Sequence, residues 1–105
     1  MSYRILSLNG AVGYSFPEES LEEAMKTRLD IIADDGGTMD GGPYYLGEGV
    51  TGFKRPSLKR DLSLMIRAAL RQGCPLVIGT CIMSGDTPHM QLAVDLVKEI
   101  FAEQG

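Results

Sequence analysis

Three short apolar runs, separated by stretches with helical periodicity, constrain this chain more than anything else in it. Residues 3–8 (YRILSL), 30–34 (DIIAD) and 75–80 (PLVIGT) have the length and apolar content of strands. Between the first two lies a short helical stripe, Leu21, Ala24, Met25 and Arg28-Leu29. Between the second and third, Leu58, Leu62, Met65, Ile66, Ala69 and Leu70 repeat at helical spacing. After the third, Leu92, Ala93, Leu96, Val97, Ile100 and Phe101 do the same. The order β-α-β-loop-α-β-α predicts an α/β fold: a small three-layer parallel sheet of about three strands with flanking helices, joined by right-handed crossovers. The continuous run Ile31-Ile32-Ala33 fits a strand covered on both faces.

Local signals punctuate these elements. The first helix begins between Pro17, which suits a first turn, and Ser20, which opens the capping-box pattern Ser20-Leu21-Glu22-Glu23. Ser57 is a good N-cap for the second helix, and Gly73 is placed to end it. Thr87 is the expected cap of the last helix, with Pro88 at its first position.

The chain has 105 residues, enough for one small domain spanning 1–105. The last helix ends at Gln104-Gly105, where a terminating glycine ordinarily leads into another strand, and three strands make a small sheet for this architecture. The expectation is an N-terminal fragment of a longer protein, part of a larger doubly wound domain. Its partners are then the rest of its own chain or further copies of itself. A net charge of −4 gives no general attraction to nucleic acid or to anionic membrane. No apolar run approaches the ~20 residues that span a bilayer. The N-terminus passes straight into a strand pattern without a signal-peptide core, so the expected location is cytoplasmic. Cys74 and Cys81 are too few for a disulfide scaffold and are expected to be reduced there.

The segment after the second strand carries the strongest functional signal. Seven of the chain's 13 glycines lie between Gly36 and Gly52, with Asp34, Asp35 and Asp40 among or just before them. A long segment without helix or strand period is uncommon in a compact domain and is usually functional or disordered. Tyr44, Tyr45 and Pro43 argue against plain disorder. Ligands of open parallel sheets bind outside the carboxyl ends of the strands. Three segments leave those ends: Asn9-Gly10-Ala11, Asp34-Asp35-Gly36-Gly37-Thr38, and Thr80 through Asp86 with Ser84-Gly85.

The candidate catalytic residues are therefore Asp34, Asp35 and His89. Asn9, Gly10, Gly36, Gly37, Thr38, Asp40, Tyr45, Ser84 and Gly85 are the candidate substrate-binding set. Adjacent strand residues point to opposite faces, so only one of Asp34 and Asp35 faces a cleft directly. Converging carboxylates would suit Mg²⁺ or another hard divalent cation; a single one would suit a general base or Asx turn chemistry. His89, the only histidine, falls in the first turn of the last helix, where a neutral imidazole can accept a proton or bind a metal. Cys81 with His89 would make a nucleophilic pair, against the plainer reading of a small buried cysteine. Lys54, Arg55, Lys59 and Arg60 offer either a phosphate-binding patch or a solvated charged face. Neither a dinucleotide fingerprint nor a Walker lysine motif is present.

The stretch from Asp34 through Gly47, with Gly36-Gly37-Thr38, Asp40, Pro43-Tyr44-Tyr45-Leu46, resembles the A-D-x-G-S-x-D-x-G-P-Y-Y-L-G segment of the acyclic terpene utilisation family. The later Pro75-Leu76-Val77-Ile78-Gly79-Thr80, Ser84-Gly85 and His89 look like that family's next strand, glycine loop and histidine. Two departures are Thr38 for the usual serine and Cys81 where a small residue is common. The resemblance covers about residues 30 to 100 and implies the N-terminal part of a much longer protein. It also implies a role in catabolism of small branched or terpenoid acids or their CoA esters, with a small-molecule metabolite as ligand. The alternative is a non-catalytic ligand-binding or assembly domain, with Tyr44, Tyr45 and the basic cluster facing another chain.

Overall fold

The structure is a computed structural model and describes residues 2–8, 12–36, 44, 47–48, 54–80 and 86–104. The elements follow in the order β1 (Ile5–Ser7), α1 (Glu18–Ala24), β2 (Ile31–Asp35), α2 (Arg55–Gln72), β3 (Leu76–Gly79) and α3 (Thr87–Gln104). The strands form one parallel sheet in the order β1-β2-β3. Ile5 pairs with Ile31 and Ser7 with Ala33; Ala33 pairs in turn with Val77, and Asp35 with Gly79. The parallel sheet with flanking helices is the expected α/β architecture.

α2 is the centre of the molecule. Leu58, Leu62, Met65 and Ile66 meet Leu96 and Ile100 of α3 and Val12 in one core cluster. Leu64, Ala68 and Ala69 meet Leu21, Leu29 and Ile32 in the other. The strand side chains that join these clusters are Leu6, Leu8, Ile32, Leu76 and Ile78, which alternation places on one face of the sheet. A sheet wound in one direction by right-handed crossovers carries its helices on one side, so this follows from the strand order. The opposite face holds Ile5, 69% exposed, and Val77, 50% exposed. Among the described residues, then, the apolar run of β2 is covered on one face, not both, and the expected three layers are two.

Several boundaries differ from the sequence expectation, each for a local reason. α2 begins at Arg55, with Lys54 as its cap residue, because Pro56 fits inside a first turn; Ser57 is already helical. α1 begins after Pro17 without a side-chain cap, so the Ser20-to-Glu23 capping box is not used. Its last turn gives out at Ala24, and the chain reaches β2 through a bend tied down by Gln72. That side chain accepts from Leu29 N–H (3.0 Å) and donates to the carbonyls of Met25 (3.2 Å) and Thr27 (2.9 Å). Gly73 ends α2 in the left-handed region, φ 66°, as expected. Asp86 precedes α3, and its carbonyl accepts the Met90 N–H at 2.8 Å, one residue earlier than the expected Thr87 cap. Leu70 and Phe101, read as core from their spacing, are 61% and 47% exposed.

Candidate functional site at the carboxyl edge of the sheet

The carboxyl ends of the strands are held together by backbone bonds. Val12 N–H donates to the Asp35 carbonyl (2.9 Å), and the buried Gly36 N–H to the Gly79 carbonyl (2.6 Å). Alternation puts Asp34 on the helix-covered face with Ile32, and Asp35 on the other face with Ala33. Asp34 is half-buried and Asp35 exposed. The two adjacent carboxylates therefore diverge.

Asp35 has a specific partner that sequence reasoning missed. The Thr80 hydroxyl lies 2.8 Å from Asp35 Oδ1 and equally close to the Gly79 carbonyl. Thr80 adopts φ 54°, a left-handed conformation rare for a β-branched residue. The turn leaving β3 thereby brings its hydroxyl back over the neighbouring strand end. No sequence signal marks it, since β-branched residues ordinarily avoid that region.

The second constellation stands at the start of α3. His89 is 1% exposed, and its Nδ1 is paired with the Asp86 carboxylate three residues earlier. The contact fixes the orientation of the imidazole ring at the start of α3. Both residues were in view in the sequence, and their i, i+3 spacing in a first turn is the signal that joins them.

Of the expected site residues, Asp34, Asp35, Gly36 and His89 lie at the carboxyl edge or the α3 start. Asn9, Gly10, Gly37, Thr38, Asp40, Tyr45, Ser84 and Gly85, together with Cys81, lie outside the described residues. Among the described residues no three His, Cys, Asp or Glu side chains stand together as a metal site would require.

The basic cluster resolves into internal bonds. Lys59 Nζ reaches Glu99 (2.8 Å) and Glu103 (2.6 Å), and Arg55 pairs with Glu99. The hydrogen bonds to Glu103 and Glu99 raise the Lys59 pKa, and the bond from Lys59 lowers that of Glu99 against its partial desolvation. Arg60 pairs with Asp61 at 2.9 Å. Arg55 and Lys59 thus fasten α2 to α3, and Arg60, which also donates to Ser15 Oγ, fastens it to the segment before α1. A surface groove of about 450 Å³ beside them is lined by Glu18, Lys59, Arg60, Ser63 and Arg67.

Asp61 is a further residue that sequence reading passed over. It is 1% exposed, and its Oδ2 accepts the N–H groups of Gly13 (2.8 Å) and Ser15 (2.9 Å) in the connection from β1 to α1. It sits within the apolar phase of α2, between Leu58 and Met65. A carboxylate at a core position is the signal that was available.

No protein-family model, curated protein or solved structure matches this chain. No helix among the described residues is long and apolar enough to cross a membrane.

Proposed function

We propose that this chain is the α/β domain of an enzyme that acts on a small acidic or CoA-linked metabolite, in the catabolism of branched or terpenoid acids. One observation carries the proposal: His89, buried in the first turn of α3, has its Nδ1 held by the Asp86 carboxylate. An imidazole whose Nδ1 is held by a carboxylate is the arrangement many general bases use. Asp35, steadied by the Thr80 hydroxyl at the exit of β2, supplies a second polar group on the carboxyl edge. The sequence resemblance supplies the substrate class. The test is turnover of branched acyl-CoA esters and their free acids by full-length protein, followed by mass spectrometry. His89→Ala and Asp35→Ala are expected to lose turnover by about a hundredfold or more while keeping the wild-type circular dichroism. Wild-type turnover by both variants sinks the proposal.

A second reading, an assembly domain, is supported by the exposed side chains of α3. Met90 (46%), Val94 (39%) and Phe101 (47%) recur at helical spacing on one side of that helix. Sedimentation velocity decides it. A homodimer that dissociates on Phe101→Glu favours assembly, and a monomer at high concentration removes the reading.

A further inference from the structure

We infer that the Asp61 carboxylate shapes residues 12–16, which lead into α1, and through them the carboxyl edge of the sheet. The second half of this inference rests on reading that edge as the functional site; the first half stands without it.

Two backbone N–H groups, from Gly13 and Ser15, converge on one oxygen of Asp61. Gly13 has φ 105° and Ser15 φ 75°. Backbone N–H groups that converge from left-handed residues form the concavity that holds anions in phosphate-binding loops. Here the occupant is a side chain of the same protein, 46 to 48 positions away in sequence. The other oxygen of Asp61 accepts from Arg60. The same Arg60 nitrogen also donates to Ser15 Oγ at 2.9 Å, and the guanidinium lies 5.0 Å over the Phe16 ring. A serine at φ 75° is unfavourable on its own account, since L side chains crowd the backbone there. The bonds that join Ser15 to Asp61 and Arg60 supply a reason for that conformation.

The consequence reaches Asp35. Val12 lies directly before this loop, is 1% exposed and donates its N–H to the Asp35 carbonyl. The backbone path from Asp61 to the β2 exit is therefore continuous. Asp61 is a positioning residue: it holds residues 12–15 against the strand end that carries Asp35.

The experiment is NMR on the full chain, and it needs no substrate. In the wild type, couplings across the hydrogen bonds are expected between Asp61 Cγ and the amide nitrogens of Gly13 and Ser15. In Asp61→Ala those two amides are expected to lose about tenfold or more of their hydrogen-exchange protection while the α2–α3 core keeps its own. Formate, which fits the vacated carboxylate space, is expected to restore their shifts saturably, and chloride at equal ionic strength is not. Asp61→Asn, which keeps an acceptor oxygen, is expected to fall between wild type and Asp61→Ala. Unchanged protection of Gly13 and Ser15 in Asp61→Ala overturns the inference, as does formate acting no better than chloride. If Asp61→Ala does not fold, the wild-type couplings and Asp61→Asn decide: absent couplings, or wild-type protection in Asp61→Asn, overturn it. For the reach to Asp35, the Asp35 and Gly36 backbone shifts are expected to move in Asp61→Ala and return with formate. Loss of the catalytic proposal through an active His89→Ala variant leaves all these readouts untouched.

Discussion

Ile32 and Val77 lie on neighbouring strands and opposite faces, and truncating each to alanine measures how the sheet is covered in solution. Ile32 is 0% exposed and packs in the cluster with Leu64, Ala68 and Ala69. Ile32→Ala removes buried methyl and methylene groups and leaves a cavity against a helix that cannot follow, so the expected cost is about 3–4 kcal/mol. Val77 is 50% exposed. Val77→Ala removes two methyl groups that are already half solvated, and at ~0.8 kcal/mol per fully buried group the expected cost is about 1 kcal/mol. Urea denaturation read by circular dichroism supplies both values, provided the two variants keep the wild-type slope. In thermal melts the same difference amounts to roughly 10–20 °C, since 1 kcal/mol moves a domain of this size by about 4–8 °C. A Val77→Ala cost equal to that of Ile32→Ala within about 0.5 kcal/mol would refute the one-sided sheet, because a half-solvated side chain has too little buried area to lose that much.

Three further outcomes follow from the polar ties. Glu99 titrates below its ordinary value of 4.5, so its share of stability is present above that value and lost as pH falls through the lowered one. Glu99→Gln is therefore expected to flatten the acid limb of the stability–pH curve, and urea titrations across that range check it. The same variant should make stability less dependent on salt, since it breaks the ties to Lys59 and Arg55. Gln72→Ala deletes three bonds to the bend between α1 and β2 and is expected to cost about 1–2 kcal/mol, with the Leu29 amide losing hydrogen-exchange protection. Gly73→Ala meets no atom within 4 Å of its new Cβ, so its expected cost in chemical denaturation is about 1–2 kcal/mol, from the left-handed backbone alone.

The order of elements and the parallel sheet were legible because strand and helix differ in apolar period, and each of the six segments shows one period. Boundaries were less legible. Arg55 and Pro56 read as loop because proline usually marks one, yet a first helical turn has no use for the missing N–H. Leu70 and Phe101 sit beside the buried stripes of α2 and α3, and apolar character alone does not say which edge of a stripe meets a neighbour. The site was legible in place but not in partners. Asp35 and His89 stand at strand and helix ends that the topology dictates. The Thr80 hydroxyl, by contrast, depends on a single backbone angle. The Asp61 bonds run to backbone N–H groups 46 and 48 residues away, and backbone donors leave no mark in a sequence.

α2 carries a polar hook near each end, Asp61 toward its start and Gln72 at its finish. Both catch segments of the N-terminal third of the chain. Residues 12–16 and 25–30 are therefore expected to take their native geometry only once α2 has formed. In folding kinetics, substitutions along α2 should slow folding, whereas those in α1 should chiefly speed unfolding. A protease acting during refolding should find residues 12–16 and 25–30 open longest.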